Sequence, residues 1–182
     1  ISNIIAINNT PVTPAQLNSF MSLLSSGANL AAGKNSLALG TSNLATGDSS
    51  ASIGAINAAT GNSSTAVGSG NKAIGSSSIA IGDNSIANGG GSTAIGKQAS
   101  SNRQNAVAIG SGATADTDYG ISIGQNAGQG SSQGTTNDRV EHIAIGKNAG
   151  QNVVGNQNIA IGSGAGSNLS PDSNSSSDSN IA

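Results

Sequence analysis

The sequence predicts an all-β protein, a parallel β-roll (β-solenoid) built from short strands and tight turns. Three observations predict this fold. Glycine recurs every seven residues along much of the chain, a small residue followed by an aliphatic one precedes every second glycine of that series, and aromatic residues make up only 1% of the 182 residues. Such recurrence is typical of repeat architectures, in which each unit packs only on its neighbours.

Residues 1–27 do not share the repeat and are predicted to form an N-terminal cap. Residues 4–7 are apolar and predict a short strand, and residues 8–11 predict a turn. Thr13 as N-cap, Pro14 at the first helical position and Gln16 three residues after the cap predict a short helix that ends at Gly27. We expect its apolar stripe to cover the first turn of the repeat; the alternative is that it docks a partner helix or a membrane.

The full repeat is 14 residues long, because alternate seven-residue units differ. The residue before the glycine is always aliphatic in one set and usually not in the other. The aliphatic set is Leu39, Ile53, Val67, Ile81, Ile95, Ile109 and Ile123, and the other set is Ala32, Thr46, Thr60, Ile74 and Asn88. Arg103 and Thr117 interrupt the glycine series. Each 14-residue rung therefore has two non-equivalent half-rungs.

Each half-rung is predicted to be a strand of about four residues and a turn of about three that opens with glycine. A helix is excluded because each interior glycine costs about 1 kcal/mol relative to alanine. In the strand before Gly82, we expect Ile79 and Ile81 to fill the coil, and Ala80 to face outwards and permit close approach of another chain.

The predicted core of one rung is thin, with one or two aliphatic side chains. That burial does not offset a backbone-ordering cost of about 1–2 kcal/mol per residue. We therefore expect several rolls to pack side by side through their small-residue faces, as an obligate homo-oligomer.

Composition excludes several classes of function. Charged residues are only 8% of the chain, the net charge is −2 and there is no cysteine. Nucleic acid and anionic membranes are therefore not expected partners, and disulfides and thiolate metal sites are excluded. No apolar run reaches the roughly 18 residues that would insert directly into a bilayer. Any signal or anchor is expected outside this sequence.

After Gly124 the repeat stretches while its strand motif persists. The next two copies of the motif begin at Ile143 and Ile159, which are 22 and 16 residues beyond the preceding copies. The long turn between residues 128 and 142 contains the densest charge of the chain and is our candidate ligand-binding loop. Its candidate residues are Asp138, Arg139, Glu141 and His142. Residues 170–182 are predicted to be a Ser/Asn-rich tail or linker.

Few residues of the sequence could serve in catalysis or in metal binding. His142 is the only histidine, with Glu141 beside it, and a solvated loop residue is favoured over a catalytic base. Asp116 and Asp118 flank Thr117, but a Ca²⁺ site needs six to eight oxygens, so a solvated turn is favoured. We expect no enzyme activity, no metal and no cofactor.

The repeats resemble the head repeats of YadA-like trimeric autotransporter adhesins. The resemblance rests on Asn35-Ser36-Leu37-Ala38-Leu39-Gly40, Ser78-Ile79-Ala80-Ile81-Gly82 and Asn105-Ala106-Val107-Ala108-Ile109-Gly110. It implies a left-handed roll over residues 28–169 and a homotrimeric head. It also implies display on a bacterial outer membrane through a stalk and an anchor that lie outside this sequence.

The function implied by this resemblance is attachment to host extracellular matrix proteins or cell-surface receptors. An alternative from another class is a structural spacer or phage tail-fibre segment that displays a different binding domain.

Overall fold

A computed structural model describes residues 6–7, 10–11, 13, 15, 27–131, 142–153 and 158–167. Near the N-terminus, β1 (Ala6–Ile7) pairs antiparallel with β2 (Thr10–Pro11). The strand prediction therefore holds at residues 6–7, whereas residues 10–11 form a strand where a turn was predicted. Most of the predicted N-terminal helix lies outside the described residues, and it stays a prediction.

The described part of the repeat region folds into two parallel sheets. The nine-stranded sheet contains β4 (Leu37–Thr41), β6 (Ala51–Ala55), β8 (Thr65–Ser69), β10 (Ile79–Asp83), β12 (Thr93–Lys97), β14 (Val107–Ile109), β16 (Ile121–Ile123), β17 (Ile143–Ile145) and β18 (Ile159–Ile161). The seven-stranded sheet contains β3 (Leu30–Ala31), β5 (Leu44–Ala45), β7 (Ala58–Ala59), β9 (Lys72–Ala73), β11 (Ile86–Ala87), β13 (Ser100–Ser101) and β15 (Thr114–Ala115). From β3 to β16 the chain alternates between the sheets, which is the predicted solenoid, and β17 and β18 then extend the nine-stranded sheet.

The register confirms the rung length. In the regular part, paired residues are 14 apart, as in Ile79 with Thr93 and Ile86 with Ser100. Ile121 pairs with Ile143, and Ile143 pairs with Ile159. The last rungs therefore keep their strands in register and lengthen their turns, as the sequence predicts.

The interior is filled by small side chains, which corrects the predicted facing of the strands. Ala80 is fully buried inside the roll, whereas Ile79 is 37% exposed on the outside. The link from β10 to β11 is only two residues long, and so short a link holds the two sheets too close together for branched side chains between them. The interior contains Ala59, Ala66, Ala73, Ala80, Ala87, Ala94 and Ala99.

A ladder of buried asparagines joins the first rungs inside the roll. The Asn57 side-chain amide donates to Asn43 Oδ1 at 3.0 Å, to the Ile53 carbonyl at 2.9 Å and to the Gly68 carbonyl at 2.7 Å. Asn71 in turn donates to Asn57 Oδ1 at 2.9 Å. These bonds satisfy interior polar groups and hold successive rungs at a fixed height.

The repeated glycines have two structural roles. Gly82 lies inside β10 rather than opening a turn, with φ of 139°, and its bare Cα lets the carbonyl of Gly96 approach closely. Gly75, in the other half-rung, precedes a turn as predicted, and the carbonyl of Gly89 packs against its Cα. In both half-rungs the left-handed conformation falls two residues after the glycine, at Ser77 and Asn84.

Candidate functional site

The outer face of the nine-stranded sheet is apolar along its whole described length; we call it the apolar face. Side chains alternate across each strand, and the two outward positions that all nine strands share form two columns. The five-residue strands extend to one further position at the sheet edge, which holds Asp83 in β10 and Lys97 in β12. One of these two columns is aliphatic in every strand of the sheet: Leu39, Ile53, Val67, Ile81, Ile95, Ile109, Ile123, Ile145 and Ile161. At the two ends, Leu39 is 59% exposed and Ile161 is 60% exposed.

The second outward column of the apolar face is mixed but carries no charge. It runs through Leu37, Ala51, Thr65, Ile79, Thr93, Val107, Ile121, Ile143 and Ile159. With strands about 4.8 Å apart, nine strands make an apolar strip roughly 40 Å long. A continuous surface of this kind marks an interaction site.

The outer face of the seven-stranded sheet is mixed by contrast: Ile74 is 47% exposed there, and Leu44 and Ile86 are half-buried. Thr60, Lys72 and Asn88 are exposed there. Asn88 Nδ2 donates to Asn102 Oδ1 at 3.0 Å, and Asn102 Nδ2 donates to Asp116 Oδ1 at 2.5 Å, so amide groups link three successive rungs. The roll therefore has one face with an unbroken aliphatic column and one face on which polar and charged residues such as Lys72 and Asn88 interrupt the apolar ones.

Turn residues in the left-handed conformation include three exceptions to the usual chemistry, namely Ile56, Gln98 and Tyr119. Most of these positions hold glycine, asparagine or serine, which tolerate positive φ. Ile56 has φ of 58° and is 68% exposed, and Tyr119 has φ of 58° and is 42% exposed. Large side chains are held here in an unfavourable backbone conformation while facing solvent.

The predicted ligand-binding loop is only partly within the described residues. Asp138, Arg139 and Glu141 lie outside them. His142 is described and is only 7% exposed. It occupies the interior position that Ser78 and Ser92 hold in earlier rungs, directly before a nine-stranded-sheet strand.

The prediction that His142 is a solvated loop residue is therefore wrong. Its carbonyl accepts the backbone N–H of Ile121 at 2.7 Å, so the residue belongs to the stacked rung rather than to the turn. A sequence signal for this placement exists, because His142 immediately precedes Ile143-Ala144-Ile145-Gly146 just as Ser78 precedes Ile79-Ala80-Ile81-Gly82.

The other groups considered for chemistry have structural partners. Asp116 Oδ1 accepts a hydrogen bond from the side-chain amide of Asn102, and Asp118 Oδ1 accepts one from the backbone N–H of Gln104 at 3.1 Å. Among the described residues, no group of three potential metal ligands occurs. His142 and Asn158 line an interior cavity of about 10 Å³, which is room for about one water molecule.

Within the described part of the chain, no helix has the length and apolar character needed to cross a membrane.

Comparison with known proteins identifies the repeat. The sequence profile of the YadA head domain repeat, which spans two repeat copies, matches residues 31–55, 45–71, 59–85, 73–99 and 104–127. These overlapping matches cover just over half of the chain. The chain belongs to the YadA head-repeat family. No curated protein sequence matches it significantly.

A solved YadA head has a similar fold. The crystal structure of the collagen-binding domain of the Yersinia adhesin YadA matches with a TM-score of 0.51 and 26% sequence identity. The match covers 70% of this chain and 69% of that chain. The YadA-repeat matches end at residue 127, and β17 and β18 continue the same sheet beyond them.

Proposed function

We propose that residues 28–169 form the adhesive head of a bacterial surface adhesin that acts as a homotrimer without catalysis. The observation that carries this proposal is the match to the YadA head repeat, and the likeness to a collagen-binding domain supports it. The proposed ligands are host matrix proteins or cell-surface receptors. Attachment to the outer membrane, through segments outside this sequence, is part of the same proposal.

The apolar face supports association with two further copies of this chain. Its column of nine aliphatic side chains is too long to be left in water by a stable single roll. A parallel copy presents the same column at the same height, so each rung meets an identical rung. A closed three-fold arrangement covers this face on every protomer. The predicted homo-oligomer is retained, but through the aliphatic face instead of the small-residue face.

Replacing Ile53 with lysine on the apolar face is expected to break the trimer. A lysine ammonium at a closed three-fold interface is desolvated beside two like charges from the other copies. Sedimentation velocity should show the trimer converting to smaller or aggregated species at micromolar concentration. The matched control is Thr60→Lys, which adds the same charge half a rung away at an exposed position beside the seven-stranded sheet. An Ile53→Lys variant that stayed trimeric would contradict the proposed interface.

The proposed adhesive function rests on multivalent binding. Three identical chains in one trimeric head raise the avidity of weak individual sites by a factor on the order of 10²–10⁴ when the sites engage together. Wild-type trimer should bind immobilised matrix proteins in surface plasmon resonance, and a dissociated variant such as Ile53→Lys should bind far more weakly. A trimer that bound no matrix protein and no host cell would favour the spacer or tail-fibre alternative.

The charged residues of the long turn are proposed to contribute to specificity. Replacing Asp138, Arg139 and Glu141 together with alanine is expected to weaken matrix binding at least about tenfold and leave the trimer intact, because exposed turns on a rigid scaffold commonly carry specificity. The control is the double variant Asp83→Ala and Lys97→Ala, which removes charge from a neighbouring pair on β10 and β12. Unchanged binding of the triple variant would remove the loop from the proposed site.

A further inference from the structure

The sequence contains a single Asn-Gly pair, Asn88-Gly89, at the turn that follows β11. Asn88 is exposed, and three consecutive glycines, residues 89–91, follow it. A Cβ added at Gly90 would meet only the Ser76 carbonyl oxygen, at 3.9 Å, so this turn has free space around it. Because no side chain restricts φ and ψ, the backbone after Asn88 rotates at low cost.

The backbone N–H of Gly89 differs from its equivalents in earlier rungs. The Gly61 N–H donates to the Ala73 carbonyl at 3.3 Å, and the corresponding glycines of the neighbouring rungs make the same bond. Within the described part of the chain, the Gly89 N–H donates to no atom. The difference coincides with the next rung, where Arg103 stands in place of glycine. The Gly89 nitrogen is therefore not held by the rung that stacks on it.

A free backbone nitrogen beside an asparagine side chain is a nucleophile for that side chain. The Gly89 nitrogen adds to Cγ of Asn88, the bond from Cγ to Nδ2 breaks, and the Gly89 amide proton leaves with Nδ2 as ammonia. Water then opens the five-membered succinimide ring at either of its carbonyls, which gives aspartate or isoaspartate. The Arg103 carbonyl packs against the Gly89 Cα, so the turn moves away from this contact as the ring closes, and its glycines permit that movement.

The side chain of Asn88 belongs to a hydrogen-bonded ladder on the seven-stranded sheet. Its Nδ2 donates to Asn102 Oδ1 at 3.0 Å, and Asn102 Nδ2 donates to Asp116 Oδ1 at 2.5 Å. The Ser100 hydroxyl donates to the same Asn102 oxygen at 3.1 Å. A carboxylate only accepts, so at position 88 it would face the Asn102 oxygen. If the Asn102 amide turned around, that oxygen would face Asp116 instead, and one contact of the ladder is lost in either arrangement.

We propose that Asn88-Gly89 is a self-modification site, at which the folded head converts an amide into a carboxylate with time. Both products add a negative charge to each chain. Isoaspartate also lengthens the backbone at a residue whose N–H donates to the Ser101 carbonyl at 2.9 Å, so it displaces the register of β11 and β13. The modification goes beyond the proposed adhesive function and does not depend on any ligand.

Peptide mass spectrometry on the full chain, before and after incubation in neutral buffer, tests the site. Trypsin releases residues 73–97 as one peptide, and fragment masses separate Asn88 from Asn84. Asn84 is the internal control, because it is exposed but the next N–H, of Ser85, donates to Asn71 Oδ1 at 2.9 Å. We expect a gain of about 1 Da at residue 88 and none at Asn84. No gain at residue 88, or an equal gain at both residues, overturns the inference.

The Thr60→Asn variant separates the structural cause from the sequence motif. It places a second Asn-Gly pair at the equivalent position two rungs earlier, where the Gly61 N–H is hydrogen-bonded. We expect conversion at residue 88 to be about threefold or more faster than at residue 60 of this variant, since a hydrogen bond must break before the Gly61 nitrogen attacks. Equal rates would overturn the claim that the free Gly89 N–H selects the site.

The Asn88→Thr variant tests the effect on the ladder, because it removes the reacting amide and installs the residue found at position 60. After the same incubation, the wild type should melt at a lower temperature than fresh protein at equal protomer concentration, and Asn88→Thr should melt as before. A wild type that gained mass at residue 88 and kept its melting temperature would contradict the predicted loss of ladder contacts.

Discussion

Replacing Gly82 with alanine is expected to unfold the roll or destabilise it by more than about 4 kcal/mol. A Cβ at this position overlaps the carbonyl oxygen of Gly96 in the next rung and lies 2.7 Å from its carbonyl carbon. Both groups belong to backbone in the same sheet, so neither moves without breaking the pairing of β10 with β12. Urea unfolding, followed by circular dichroism at one fixed protomer concentration, measures the effect.

Gly162→Ala is the matched control for this prediction. Gly162 has a similar φ of 129°, but the nearest atom to an added Cβ is the Ala165 methyl group at 3.7 Å. Its replacement should cost only the backbone strain, about 1–3 kcal/mol. Equal losses in the two variants would show that positive φ, rather than close approach between rungs, is what requires glycine in these strands.

Replacing Asn57 with alanine is expected to cost about 3 kcal/mol or more. The change removes a buried amide that serves the Ile53 and Gly68 carbonyls and an Oδ1 that accepts from the backbone and side chain of Asn71. Each buried group left without a partner costs about 1–3 kcal/mol, and the cavity left behind adds to the loss. The midpoint of urea unfolding reports the change.

The Asn62→Ala variant tests whether the large loss expected for Asn57→Ala is due to the burial of Asn57. Asn62 lies on the same rung, but it is exposed, and its Oδ1 accepts the backbone N–H of Asp48 at 3.1 Å. Water replaces that bond when the side chain is removed, so the loss should stay within about 0.5 kcal/mol. If Asn62→Ala lost as much stability as Asn57→Ala, the stacking of amide groups between rungs, and not their burial, would be the source of the stabilisation.

Much of the architecture was predictable because its signals are local. The alternation around Ala80 identifies a strand wherever it occurs, and the same motif at Ile143 and Ile159 placed the last strands despite the irregular spacing. Two features of the candidate site were missed. The charged neighbours of His142 predict a loop, although His142 precedes Ile143 just as Ser78 precedes Ile79. The left-handed conformation of Tyr119 runs against the asparagine, serine and glycine that hold this turn position in earlier rungs.

The sequence by itself determined the 14-residue period, the parallel stacking and the family, because each depends on a repeated local pattern. Only the tertiary structure decided which side of each strand is inside. Period-two alternation distinguishes two faces of a strand but does not assign either one to the interior. Short links hold the two sheets so close that Ala80 fits between them and Ile79 does not, so the aliphatic residues face outwards. That choice moves the predicted contact between chains onto the apolar face.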